Sequence, residues 1–172
     1  MDCKGIQDRL LAIGAPGLIG IDLPREPDPK DKKDKGRTGE PFLLVDAQSL
    51  PAFLTACRDD PELDFALLVD LTAADPAATA PELWVHVQLL SHTKRHRLAV
   101  RCAVPKATPS MPTSARVYRS AQWHEREAME MFGIEFVGHP DPRHVLLPDD
   151  WVGHPLRKDY VYPEEYHGIS CK

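Results

Sequence analysis

Trp84-Val85-His86-Val87-Gln88-Leu89 and, beyond the polar stretch from His92 to Arg97, Leu98-Ala99-Val100-Arg101-Cys102-Ala103-Val104 are the segments that decide the fold. The first alternates apolar and polar residues with the period of a pleated strand, so Val85, Val87 and Leu89 share one face. The second follows closely enough to pair with it, and together they predict an antiparallel hairpin with a longer than minimal loop. Pro105, Pro109 and Pro112 then end the sheet. Upstream, Phe65 to Leu71 is apolar apart from Asp70 and reads as a strand covered on at least one face, and Phe42 to Val45 reads as a further strand.

Helical spacing surrounds these strands. Leu50, Phe53, Leu54 and Cys57 fall at i, i+3, i+4 and i+7, with Ser49 as the expected N-cap and Asp59-Asp60-Pro61 as the stop. Ile6, Leu10, Leu11 and Ile13 predict a short N-terminal helix ended by Gly14, Pro16 and Gly17. A third helix is expected from about Ser114 to Phe132, with a break near Arg119-Ser120 and a glycine stop at Gly133. The expected fold class is α+β: a small mixed, mainly antiparallel sheet with helices packed on it and an extended C-terminal tail. Residues 1–23 form the N-terminal helix and connection, 24–41 a charged mobile insertion, 42–136 the α+β domain and 137–172 the tail.

The insertion has 11 charged residues in 18, six basic and five acidic, and none that is hydrophobic. It has no apolar area to offset the entropy of ordering, and its internal neutralisation is unlike a nucleic-acid-binding arm. A formal net charge of -5 over 172 residues likewise offers no global field for nucleic acid or anionic lipid. No apolar run approaches the roughly 20 residues of a membrane-spanning helix. The N-terminus Met1-Asp2-Cys3-Lys4 has the look of neither a signal nor a transit peptide. The expected location is therefore cytoplasmic, with membrane contact only through partners.

Cys3, Cys57, Cys102 and Cys171 have no clustered spacing, which argues against an iron–sulfur cluster built by this chain alone. Cys57 and Cys102 lie among apolar neighbours and read as buried thiols. No phosphate-binding glycine loop and no nucleophile elbow is present. His124, His139, His144, His154 and His167 crowd the final third beside many acids, which raises a metal-dependent enzyme as one reading. His124-Glu125-Arg126-Glu127 lacks the second histidine that a zincin helix needs, since Ala128 stands at i+4. His139 and His144 with a nearby carboxylate remain a candidate for a loop-borne ligand set. Glu127 and Glu130 share a helix face while Glu125 points elsewhere, so these acids read as a charged helix face or as charged docking to another subunit, with Arg126 placed to pair with Glu130. Gly138-His139-Pro140 and Gly153-His154-Pro155 read as turns. Beyond Phe136, Val145, Leu146, Leu147, Trp151, Leu156, Tyr160, Tyr162 and Tyr166 sit in an aperiodic segment with little means of burying them, which implies a tail that packs onto a partner.

Glu125-Arg126-Glu127-x-x-Glu130-Met131-Phe132-Gly133-Ile134-x-Phe136-x-Gly138-His139-Pro140 resembles the signature of the C subunit of NADH-quinone oxidoreductase, respiratory complex I. Leu146-Leu147-Pro148-Asp149-Asp150-Trp151-x-Gly153-His154-Pro155-Leu156-Arg157-Lys158-Asp159-Tyr160 is similar to the family's continuation, and the likeness covers roughly residues 41–169. Departures at Gln122, Met129, Glu130 and Pro142 keep charge or shape roughly intact.

The resemblance implies a non-catalytic peripheral-arm subunit with no cofactor of its own. It would dock on the large quinone-cavity subunit near the iron–sulfur subunits, on the cytoplasmic side of a bacterial or archaeal inner membrane. Iron–sulfur clusters, flavin and quinone are then expected in the partners. Partner contact is expected from Glu125, Arg126, Glu127, His139, Arg143, Trp151, His154, Arg157, Lys158, Asp159 and Tyr160. The equivalent subunits of membrane-bound hydrogenases, formate hydrogenlyase and ferredoxin- or F420-linked dehydrogenases share this domain type, so the electron donor stays open.

Overall fold

A computed structural model of the protein describes residues 1–24 and 40–170. The charged insertion and Cys171 therefore lie largely or wholly outside the described residues. Five strands form the main sheet: β1 (Leu18–Asp22), β2 (Phe42–Val45), β3 (Leu67–Ala74), β4 (Glu82–Ser91) and β5 (His96–Pro105), in the order β1-β2-β5-β4-β3. Every neighbouring pair is antiparallel except β2 with β5, so the sheet is mixed and mainly antiparallel, as the sequence implies.

The β4–β5 register sets Leu83, Val85, Val87 and Leu89 opposite Val104, Cys102, Val100 and Leu98, and all eight are buried. This face joins one core with Ile6 and Leu10 of helix α1 (Cys3–Ala12), Phe53, Leu54 and Cys57 of α2 (Leu50–Asp59), and Ala128 and Phe132 of α3 (Ala121–Phe132). The N-terminal helix and β1 thus belong to the same packed body as residues 42–136. The opposite face carries Arg101, whose guanidinium lies 4.7 Å from the Trp84 ring and 5.4 Å from that of Phe42, and 2.6 Å from Asp22.

Local departures from the expectations have identifiable causes. Asp46, not Ser49, supplies the cap: its carboxylate accepts from the Ser49 backbone at 3.0 Å and from the Ser49 hydroxyl at 2.8 Å. A single 3-10 turn, Ala47–Ser49, therefore precedes α2. β3 starts at Leu67 rather than Phe65, because the Phe65 amide bonds back to the Cys57 carbonyl and Asp64 adopts φ 45°. Leu67 and Val69 flank buried Leu68 and are exposed, and a register shift between Leu68 and Asp70 lets Leu71 turn inward as well. The third helix begins at Ala121, because residues 113–118 turn instead around the Glu125 carboxylate.

Short strands β6 (Ser110–Pro112) and β7 (Glu135–Val137) pair in parallel, and β8 (Glu165–Tyr166) and β9 (Ile169–Ser170) close the tail as a small hairpin. Burial pushes the Cys102 thiol up to about 12 and the Cys57 thiol in the same direction, as buried thiols require.

Candidate docking site

Helix α3 has an ordinary apolar stripe, yet three of its charged residues also point inward. Glu125 and Glu130 are buried, and Arg126 nearly so, while Glu127 is exposed. The reading of a solvated charged face is therefore replaced by one in which α3 grips the chain that follows it.

Each inward charge has a backbone partner. Arg126 donates through Nε to the Arg143 carbonyl at 2.7 Å and through Nη2 to the His144 carbonyl at 2.9 Å. Glu130 does not pair with Arg126. Its two oxygens accept the consecutive amides of Val145, Leu146 and Leu147 at 2.9, 2.9 and 3.3 Å. Three successive N–H groups around one carboxylate make a nest of the kind that binds anions, here occupied from within the chain.

The next turn of tail is held at the helix C-terminus. Gly133 ends α3 at φ 74°, and a Cβ there would stand 2.4 Å from the His154 ring. His154 donates from Nδ1 to the Glu130 carbonyl at 2.9 Å, and Arg157 donates from Nε to the Phe132 carbonyl at 2.6 Å, so both satisfy carbonyls that a helix end leaves open. Gly153, at φ 85°, lies where a Cβ would meet Tyr160 at 2.6 Å. Tyr160 closes this turn by donating to the Val152 carbonyl at 3.1 Å.

Asp75 and Lys106 tie the tail to the sheet. The Lys106 ammonium lies 2.6 Å from the buried Asp75 carboxylate, which also accepts the Lys158 amide at 2.8 Å. Burial pushes the Asp75 carboxyl up, and the Lys106 and Lys158 donors outweigh this and hold it below the usual range. Nothing local signals this pair, whose members stand 31 residues apart. The exposed Asp159 carboxylate adds a looser contact to Lys106 at 3.6 Å.

Glu125 lies deepest. It accepts from the Thr113 hydroxyl at 2.5 Å and from the Ser114 amide at 2.6 Å, yet burial outweighs both and pushes its carboxyl up to about 7. His139 Nε2 stands 3.9 Å from this carboxylate and donates to the Gln122 carbonyl at 3.1 Å. His139 Nδ1 accepts the Asp141 amide at 3.1 Å, which puts the ring proton on Nε2. Both ring nitrogens are thus engaged, and His144 donates from Nδ1 to the Pro148 carbonyl. A metal on His139 would have to displace one of those bonds, whereas His144 is so engaged only through Nδ1. Among the described residues, no three His, Cys, Asp or Glu side chains converge as a metal-ligand set.

Glu125, Arg126, His139, His154 and Arg157 are therefore each hydrogen-bonded within the chain. Arg143 pairs with Asp141 at the surface, and Lys158 and Asp159 are exposed. Outside lies the apolar part of the tail: Leu146, Val152, Leu156, Val161 and Tyr162 are exposed, Val161 at 85%. Trp151, Val152, Tyr160, Val161, Pro163 and Tyr166 line an adjoining hollow of about 330 Å³.

The family described as respiratory-chain NADH dehydrogenase, 30 Kd subunit, matches residues 43–166. The chain is 42% identical over 123 residues to the NADH-quinone oxidoreductase C subunit of Herpetosiphon aurantiacus, covering 72% of each. It is 37% identical over 156 residues to the protein of that name in Chlorobium phaeobacteroides, covering 89% of this chain and 93% of the relative. Two solved structures, each 23% identical, share the fold. A trypsin-resistant fragment of Nqo5 has a TM-score of 0.59, over 82% of this chain and 99% of that one. A chain of the archaeal membrane-bound sulfane sulfur reductase has 0.68, over 92% and 85%.

Proposed function

The chain belongs to the 30 kDa subunit family of respiratory-chain NADH dehydrogenase, that of the NADH-quinone oxidoreductase C subunit, and from that premise we propose that it is a non-catalytic docking subunit of the peripheral arm. It seats on the large quinone-cavity subunit beside the iron–sulfur subunits and supports electron transfer from NADH to quinone by the whole complex. Iron–sulfur clusters, flavin and quinone belong to the partners. The complex holds it on the cytoplasmic side of a bacterial or archaeal inner membrane. Among the described residues no helix is long and apolar enough to cross a membrane, which fits attachment through partners.

One observation carries this reading: the polar motif residues hold the tail from within while Leu146, Val152, Leu156, Val161 and Tyr162 stay outside. Exposed apolar and aromatic side chains on a fixed backbone suit a protein interface.

The test is affinity purification of the native assembly through this chain. NADH-oxidising and quinone-cavity subunits are expected among its neighbours; hydrogenase or formate-oxidising subunits would reassign the donor, and a lone soluble monomer would overturn the reading. A Val152→Asp, Val161→Asp chain should lose most of its complex yield on native gels. Its own stability should change by only about 0.5 kcal/mol, because both sites face water.

A further inference from the structure

The β4–β5 hairpin ends in Ser91-His92-Thr93-Lys94-Arg95-His96-Arg97, three cations and two histidines without a carboxylate, in a chain of formal net charge -5. Several cations elsewhere on the body are matched: Arg9, Arg101, Lys106 and Arg126 each reach an acidic side chain. At the tip, His92, Lys94, Arg95 and Arg97 are exposed, and none makes an ion pair among the described residues.

The tip is nevertheless held in shape. His96 is buried and donates to the Leu63 carbonyl at 2.7 Å, the Lys94 amide donates to the Ser91 hydroxyl at 3.2 Å, and Thr93 is hydrogen-bonded to Asp64. Leu90, His92, Thr93, Arg95 and Arg97 help to line an open depression of about 520 Å³. Arg95 sits at φ 54°, a left-handed conformation that glycine adopts at lower cost. Its guanidinium makes no hydrogen bond among the described residues that would offset this cost. A strained, unpartnered arginine on a fixed turn points to a contact outside the chain.

We propose that this hairpin tip recognises an acidic segment of a partner subunit, an inference that rests on the docking role above. Two guanidinium forks beside a depression suit carboxylates, which they can bind in bidentate fashion. The lining has no Phe, Tyr or Trp ring on which a nucleobase could stack. A broad anionic bilayer would also face the chain's net negative charge, whereas a peptide meets only the tip.

Two experiments on the full chain test this. Arg95→Gly with Arg97→Gln should bind a soluble oligoglutamate peptide about tenfold more weakly than the parent. The melting temperature should hold or rise, since glycine suits the backbone at position 95. Equal peptide binding by both proteins would overturn the proposal, as would binding of phosphatidylglycerol vesicles or inorganic phosphate with none of the peptide. In the native complex, a photo-crosslinking residue in place of His92 should form an adduct with an Asp- and Glu-rich segment of another subunit. An intact complex without that adduct would overturn the hairpin proposal alone. Absence of the chain from the complex would overturn the docking role and the hairpin proposal with it.

Discussion

The helix-and-sheet body and the tail after β7 keep their shapes by opposite means. In the body, apolar side chains repeat with the period of their element and meet in one core, from Ile6 to Phe136. In the tail, backbone groups are captured one by one by polar side chains: Arg126 takes two carbonyls, Glu130 three amides and Arg157 a helix-end carbonyl. A core buries what is apolar, whereas a polar clamp fixes the backbone and leaves apolar side chains outside. The tail can therefore be ordered before any partner arrives and still present a surface for one.

The body should unfold as one cooperative core. Phe53 is fully buried at the centre of α2. Phe53→Ala should cost about 3–5 kcal/mol, the lost transfer energy plus a cavity. A urea titration should show a lower midpoint, with tail amides losing hydrogen-exchange protection no later than those of the body. A tail that stayed protected in urea after the body had melted would contradict its dependence on α3.

Glu125 sits where the two regimes meet, and its effect depends on pH. Its carboxyl is raised from about 4.5 to about 7 by burial, so the native state holds a proton that the unfolded chain has released. Stability should therefore fall as pH rises from about 4.5 to about 7 and then level off, by roughly 3 kcal/mol. Glu125→Gln, which resembles the protonated form, should flatten this slope and leave the variant the more stable protein above neutral pH. A slope unchanged by the substitution would mean that another group carries it.

The same division explains what the sequence discloses. The hairpin, the α2 stripe and the Gly133 stop are legible because each is a short-range pattern with a fixed period or a single conformational demand. Glu130 and Arg126 are visible as charges four apart, but their partners are carbonyls and amides of residues 143–147, and backbone groups leave no mark on a sequence. Asp75 and Lys106 meet across 31 residues with no local signal. Residue type shows which side chains must find partners. It does not show whether the partner is another subunit or the chain's own backbone, so the bonds that Glu125, Arg126, His139, His154 and Arg157 make within the chain are not legible in it.

A change at Glu130 should be felt in the tail alone. Glu130→Gln keeps size and shape but turns one oxygen into an N–H₂ group. Either placement of the amide aims a donor at an amide of residues 145–147, which are all donors themselves. Losing at least one charge-assisted bond and leaving an amide unsatisfied should cost about 2 kcal/mol. The core contacts of α3 run through Ala121, Ala128 and Phe132, so this cost should fall on the tail rather than on global unfolding. Exchange at Val145, Leu146 and Leu147 should accelerate by tenfold or more, while amides of β4 and β5 keep their rates. Equal acceleration in the sheet would mean that the tail is part of the core's cooperative unit and that the clamp is not a separate device.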